Sequence, residues 1–210
     1  MKMTKKKVFV AALAVCLVAI LSLGTLAWFT ATDDVTNIFK VSTDDQTQKP
    51  DFKLDLFEHE LLADGTLGTN EVETNTYTNV APGDPLPKDP TVRNDGQYGM
   101  WVRISVTLED YAAWEAILGD NYDFSAILTG VSTDWSLDRS TVGTDTLVFY
   151  KDAELAVGAT STLFTGVAIP GEEFTVDNMP TQFNLKLVAD AIQSDNTGTN
   201  AQSAFANYWN

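Results

Sequence analysis

The chain has 210 residues, enough for one domain or at most two, and 44% of them are hydrophobic. Asp and Glu number 29 against 13 Lys and Arg, which gives a formal net charge of -16. A chain with this negative charge repels nucleic-acid phosphates and anionic lipids. We therefore expect no nucleic-acid partner and no peripheral membrane role. Its apolar content is too high for a disordered acidic tail, and it predicts a folded, soluble domain.

Cysteine and histidine are nearly absent. The single cysteine, Cys16, lies in the apolar run near the N-terminus, and His59 is the single histidine. Downstream of Cys16 the sequence therefore offers no disulfide, thiolate nucleophile or zinc–cysteine site, and one histidine cannot make a multi-histidine metal site. We expect a protein that is not an enzyme, with no catalytic, cofactor-binding or metal-binding residues.

Residues 1–27 have the three parts of a secretory signal peptide. The first seven residues hold four lysines and no acid, residues 8–23 are apolar except for Ser22, and small residues follow. We expect a signal peptidase to cut between Ala27 and Trp28, with the bond after Trp28 as the rival. The alternative is an uncleaved anchor helix, because residues 8–29 are long enough to span a membrane.

Alternating apolar and polar residues predict β-strands along the rest of the chain. The longest alternation runs from Met100 to Leu108. The predicted strands cover residues 38–41, 52–57, 89–94, 100–108, 135–137, 146–150, 159–164, 167–169 and 183–191.

The segments between the strands carry turn signals and two helical patterns. Residues 62–79 are rich in Thr, Gly and Asn, which predicts an exposed excursion or a hairpin. Three prolines in residues 82–87 predict a turn or an edge strand, because proline lacks an N–H donor. Apolar spacing predicts a short helix over residues 111–118 and an amphipathic helix over residues 201–209. We therefore expect an all-β fold, an antiparallel β-sandwich of jelly-roll type with one short inserted helix and a C-terminal helix.

Several short motifs, taken together, resemble the TasA and camelysin-like proteins of Gram-positive bacteria, which carry SipW-dependent signal peptides. The motifs are GTLAWFTATD (24–33), VTNIFKV (35–41), VAPGD (80–84), KDPTVRNDG (88–96), WVRI (101–104), LFTGV (163–167) and KLVADAIQ (186–193). This resemblance implies export by a dedicated signal peptidase, the same jelly-roll fold, and a place in an extracellular biofilm matrix.

Three features invite a chemical function, and each has a simpler explanation. His59 lies between Glu58 and Glu60, but without a second histidine we interpret it as a solvated histidine near a strand end. Acidic pairs along the chain suit Ca²⁺, but none has EF-hand spacing, so we interpret them as solvated turns. The tryptophans at strand or helix spacing are interpreted as core residues, not as the lining of a carbohydrate groove.

Cleavage after residue 27 would leave two large aromatic side chains, Trp28 and Phe29, at a free end. Such an end needs cover, either on the chain's own sheet or as a strand added to a neighbour's open edge. Head-to-tail repetition of the second contact does not close and gives a filament, which the resemblance to TasA also implies. The candidate assembly residues are Trp28, Phe29, Val35, Ile38, Phe39 and Val41.

The sequence thus predicts a signal peptide (1–27), an N-terminal segment that acts as a donor strand (28–43) and a β-sandwich domain (44–210). The expected function is that of a secreted structural protein whose main partner is itself in a homopolymer, together with other matrix proteins. Two alternatives stay open: a camelysin-like secreted metallopeptidase, and a monomeric exported module that binds a wall polymer or a matrix protein.

Overall fold

The computed structural model describes residues 30–34, 52–175, 177–180 and 182–209, and for residues 30–34 it describes the backbone alone. The signal peptide and its cleavage residues, Ala27 and Trp28, lie outside these ranges. Within them, every helix is too short or too polar to cross a membrane.

Twelve strands and two α-helices make up the described part of the chain. The strands are β1 (Thr30–Asp34), β2 (Leu54–Leu61), β3 (Leu67–Val72), β4 (Pro85–Pro87), β5 (Thr91–Asn94), β6 (Met100–Leu108), β7 (Leu128–Thr129), β8 (Trp135–Leu137), β9 (Thr146–Lys151), β10 (Thr160–Thr162), β11 (Gly166–Ala168) and β12 (Leu185–Gln193). The helices are α1 (Tyr111–Leu118) and α2 (Ala201–Tyr208).

The strands form three antiparallel sheets. Their orders are β1-β12-β6-β9-β8, β10-β5-β2-β3 and β4-β11-β7. The all-β antiparallel class that the sequence predicts is therefore confirmed, together with the short inserted helix and the C-terminal helix. The jelly-roll topology stays a prediction.

The main hydrophobic core lies between the two larger sheets. The inward side chains of β6, such as Val102, Ile104 and Val106, are fully buried and pack in one cluster with Leu56 of β2 and Leu187 of β12. Successive side chains of a strand point to opposite faces, so the outward positions of β6 belong to a different environment. Trp101 starts that outer face, where it clusters with residues of α2.

Helix α1 follows β6 and covers one end of the core. Asp110 adopts a left-handed conformation (φ 63°) before the helix, and Gly119 (φ 104°) ends it. Trp114 is 0% exposed on its inner face, and the Tyr111 hydroxyl donates to the Tyr122 carbonyl at 2.7 Å. The interpretation of the tryptophans as core residues agrees with the structure, because Trp101 and Trp135 are also buried.

Some element boundaries differ from the predicted ones. Strand β2 continues to Leu61, because its second half pairs with β3, the strand within the segment 62–79. The proline-rich segment forms β4, an edge strand as predicted. The two-residue strand β7 was not predicted, because it is defined by its pairing with β11 and has too few residues for an alternating pattern.

Candidate assembly groove

The described part of the N-terminal segment forms strand β1 at one edge of the five-stranded sheet. It runs antiparallel to β12, from Thr30 opposite Ile192 to Asp34 opposite Val188. Within a single chain, this pairing is the first of the two alternatives, in which the segment folds onto its own sheet. The other candidate assembly residues lie outside the described ranges: Trp28, Phe29, Val35, Ile38, Phe39 and Val41.

Strand β12 is longer than β1. It pairs with β6 along its whole length, from Leu185 to Gln193, but β1 covers its other edge only as far as Val188. The first three residues of β12 continue that edge and line a groove of about 580 Å³, which we call the assembly groove. Its lining residues are Glu58, Glu73, Thr74, Asn75, Tyr77, Leu86, Lys88, Glu109, Val167, Phe183, Asn184, Leu185, Lys186 and Leu187.

One wall of the assembly groove is apolar. Leu185 and Leu187 come from β12, Leu86 from β4 and Val167 from β11, so the wall joins the five-stranded and the three-stranded sheets. Phe183 closes it, with its ring edge-to-face against Trp114 at 5.1 Å between centroids. The wall is fixed by contact with the core.

The opposite end of the groove holds a buried ion pair. Glu58 of β2 is 2% exposed and Lys88, which follows β4, is 9% exposed; Lys88 Nζ donates to Glu58 Oε1. Glu58 is buried because it is an inward position of β2, two residues after Leu56 in the strand alternation. A buried ion pair stabilises a fold only where the attraction between the two charges exceeds the hydration energy that both lose on burial. The burial of Glu58 and Lys88 therefore needs a reason beyond stability.

The segment 73–80 crosses the groove and is fastened by two side chains. Asn75 Oδ1 accepts from the backbone N–H of Leu61 at 2.7 Å, and Asn75 Nδ2 donates to Glu58 Oε2 at 3.2 Å and to the His59 carbonyl at 2.8 Å. The Tyr77 hydroxyl donates to the Pro87 carbonyl at 2.5 Å. Burial raises the pKa of Tyr77 well above its ordinary value, and the nearby Glu58 adds to the shift. Tyr77 therefore stays a neutral hydrogen-bond donor.

His59 points away from the groove, because it follows the inward Glu58 on the same strand. Its Nδ1 lies 2.5 Å from Asp89 Oδ2, and its backbone N–H donates to Asp89 Oδ1 at 3.0 Å. The sequence led us to expect a solvated histidine, but the ring is half-buried and paired because β2 brings it beside the turn that follows β4. Within the described ranges, no group of three or more His, Cys, Asp or Glu side chains could hold a metal ion.

Sequence reasoning missed four polar residues of this groove: Glu58, Asn75, Tyr77 and Lys88. The strand alternation that places Leu54, Leu56 and Glu58 on one face carried a usable signal, because a carboxylate at an inward position needs a partner. The partner itself had no local signal, since Lys88 is separated from Glu58 by 30 residues.

No protein-family model, no curated protein sequence and no solved structure matches this chain. Among the described residues, β1 pairs with this edge of β12 only as far as Val188, and the edge continues beside an apolar wall. An added extended segment needs such a place, since backbone hydrogen bonds supply affinity and the wall takes alternate side chains.

Proposed function

We propose that this protein is a secreted structural subunit that assembles head to tail into extracellular fibres by exchanging its N-terminal segment between copies. The observation that carries the proposal is the pairing of β1, an edge strand near the start of the chain, with the β12 edge that runs on into the assembly groove. The resemblance of the sequence to the TasA class supports the same function.

Exchange requires no new kind of contact. A segment that pairs with β12 of its own chain makes the same backbone hydrogen bonds with β12 of an identical copy, which is the basis of domain swapping. In the sequence, 19 residues (35–53) separate β1 from β2.

The register of β1 indicates how the exchanged segment would use the groove. Thr30 to Asp34 of one copy would pair with β12 of the next, as they do within one chain. Continued in the same register, Val35 would come opposite Leu187 and Asn37 opposite Leu185, at the apolar wall. Of the candidate assembly residues, Val35 would then lie against that wall, and Ile38, Phe39 and Val41 would continue beyond Leu185.

The contact joins two different surfaces, a segment and a groove, so each copy keeps one of each free and the chain of contacts continues into a filament. The acidic surface suits this arrangement. Like charges on neighbouring filaments repel and limit lateral clumping, whereas backbone pairing sets the axial contact.

Two single-cysteine variants test the exchange. The predicted mature chain, which starts at Trp28, has no cysteine, so we would make Asp34→Cys in one preparation and Val188→Cys in another. These positions face each other in the β1–β12 register, within the span that a disulfide can bridge. After mixing, assembly and mild oxidation, we expect disulfide-linked heterodimers on a non-reducing gel and fibres by electron microscopy.

The control pairs Asp34→Cys with Ser136→Cys, which lies on β8 at the far edge of the same sheet. This mixture should give no more cross-linking than random collision. If the Asp34→Cys and Val188→Cys mixture forms fibres but no heterodimers, β1 stays on its own chain and exchange of this strand is wrong. If the unmodified mature chain forms no fibres at all, the structural function itself is wrong.

A further inference from the structure

Lys88, Glu58 and Asn75 meet at the polar end of the assembly groove. One oxygen of the Glu58 carboxylate contacts Lys88 Nζ, and the other accepts from Asn75 Nδ2 at 3.2 Å. We propose that Lys88 and Asn75 become joined by an intramolecular isopeptide bond, with Glu58 as the group that carries the protons.

Lys88 is placed to act as the nucleophile. It is 9% exposed, and its Nζ donates to Glu58, which is 2% exposed. A proton that moves from Lys88 Nζ to the Glu58 carboxylate replaces two buried charges by a neutral amine and a neutral acid. A neutral lysine amine attacks carbonyl carbons, as Schiff-base and other nucleophilic lysines do.

Asn75 is held as the electrophile. Its Oδ1 accepts the backbone N–H of Leu61 at 2.7 Å, a donor placed where negative charge develops when the side-chain carbonyl is attacked. Its Nδ2, the leaving nitrogen, also donates to the His59 carbonyl at 2.8 Å, so the amide is fixed on three sides.

The reaction balances without an oxidant or any co-reactant. Lys88 Nζ forms a bond to Asn75 Cγ, and the proton on Glu58 passes to Asn75 Nδ2. The Cγ–Nδ2 bond breaks, ammonia leaves, and the Glu58 carboxylate takes the surplus proton from Nζ. The products are a secondary amide between residues 75 and 88, one neutral ammonia molecule and a protonated, neutral Glu58.

Such a bond would tie the segment 73–80, which crosses the groove, to the connection between β4 and β5. It would replace a buried ion pair by a neutral amide and close a covalent loop in a chain whose single cysteine lies in its leader. Loop closure restricts the unfolded state, so the bond would make the subunit harder to unfold. It does not depend on the proposed strand exchange.

Trypsin provides a direct test on the purified mature chain, because no lysine or arginine lies between Lys53 and Lys88 or between Lys88 and Arg93. An acylated lysine is not cleaved. We therefore expect one peptide, residues 54–93, lighter than its sequence by one ammonia, with fragment ions that link residue 75 to residue 88. Separate peptides 54–88 and 89–93 at full mass would overturn the proposal.

Variants identify the roles of the three groups. Glu58→Gln and Asn75→Ala should abolish the link, whereas the matched controls Lys186→Arg, in the same groove, and Asn70→Ala, on β3, should keep it. Asn75→Asp should also form the link, with water leaving in place of ammonia, so its bonded peptide should have the same mass as that of the native chain. A succinimide at Asn75 also loses ammonia but leaves Lys88 cleavable, and that result would contradict the proposal even if a variant failed to fold.

Discussion

The five-stranded sheet carries an aromatic cluster on each face, and the two differ in how they are held. On the inner face the Trp114 ring packs edge-to-face against Phe174 at 4.9 Å and against Phe183 at 5.1 Å between centroids. On the outer face, the ring centroids of Phe205 in α2 and Trp209 lie 5.5 Å apart. The Arg103 guanidinium carbon lies 4.5 Å from the centroid of the Phe205 ring.

The inner cluster is enclosed by several elements, whereas the outer one depends on a single helix near the end of the chain. Trp114 belongs to the main core, and its neighbours come from separate parts of the chain. In the outer cluster, Trp101 and Ile192 of the sheet meet residues that come from α2. The inner cluster is therefore tied to the global fold, and the outer one can open locally.

Both clusters bury an indole N–H without an acceptor. Within the described residues, Nε1 of Trp101 and Nε1 of Trp114 have no hydrogen-bond partner. An unsatisfied buried donor costs about 1–3 kcal/mol, so aromatic packing must offset this cost in both places. Mutations in the two clusters therefore measure how strongly each one packs.

The largest effect is expected from Trp114→Ala. Trp114 is 0% exposed, and replacing it with alanine leaves a cavity in the main core. The elements around this cavity also pack against one another, so they cannot all move in to fill it. We expect the free energy of unfolding to fall by about 3–5 kcal/mol, measured by chemical denaturation. The control is Val157→Ala, since Val157 is 50% exposed and should change stability by no more than about 0.5 kcal/mol. A loss at Trp114 no larger than that of the control would show that the inner cluster is not tied to the global fold.

A smaller and more local effect is expected from Phe205→Ala. The helix can shift to fill part of the space, so we expect a loss of about 2 kcal/mol, below the usual range for a buried phenylalanine. Hydrogen exchange should rise at the amides of α2 while those of β6 stay protected. If β6 also loses protection, the two clusters form one cooperative unit and the contrast between them is wrong.

Arg103 provides a finer test of the outer cluster. Its guanidinium lies over Phe205 and Trp209, and its Nε donates to Asp190 Oδ2 at 2.9 Å. Arg103→Lys keeps the charge but loses the planar stacking, so we expect a loss of about 1 kcal/mol by thermal or chemical unfolding. The exposed Arg139→Lys should stay within about 0.5 kcal/mol of the native chain, and an equal effect at both positions would exclude a role for stacking.

The smallest effect concerns the ion pairs around Arg93. Its guanidinium also lies over an aromatic ring, that of Phe57, at 4.8 Å, but its partner Glu71 is more exposed than Asp190, the partner of Arg103. The Arg93 hydrogen bond lowers the pKa of Glu71; the pKa of Asp95 is also lowered, because Lys53 and Arg93 outweigh its partial burial. Folded carboxyls with lowered pKa values bind fewer protons than unfolded ones, so this stability is present above the ordinary Glu value of 4.5 and is lost as the pH falls below it.

We therefore expect the stability difference between the native chain and Arg93→Met to stay below about 1 kcal/mol at neutral pH, because solvent screens these pairs. The difference should shrink as the pH falls from 5 towards 3. Denaturation series across this pH range measure it, and Lys186→Met is the control for a cation outside these ion pairs. A difference that grows on acidification would contradict the assigned direction of the carboxyl shifts.

The sequence predicted the regular elements best where the local pattern and the neighbours agree. The bounds of β6 and α1 were predicted correctly, because β6 alternates over its whole length and α1 ends at Gly119. The last strand was predicted over residues 183–191 but runs from Leu185 to Gln193. The ends of this strand are set by its pairing with Leu108 and Met100 of β6. A local sequence pattern contains no information about the partner strand.

The candidate groove was harder to predict than the fold. The sequence indicated that Trp28 and Phe29 need cover, and both lie outside the described residues. Beside them, Thr30–Asp34 pairs with β12 of its own chain. It did not indicate the groove beside that edge, because Glu58, Asn75 and Lys88 come from three separate segments. Only their hydrogen bonds bring them together.

Composition and periodicity by themselves determined the acidic all-β character of this protein, because alternation and turn residues act within a few positions of the chain. Tertiary structure decided which strand edge pairs with β1 and that His59 pairs with Asp89. It also brought Lys88, Glu58 and Asn75 together in the assembly groove. Those outcomes depend on contacts between residues far apart in sequence, and burial, which sets their chemistry, exists only once the sheets have packed.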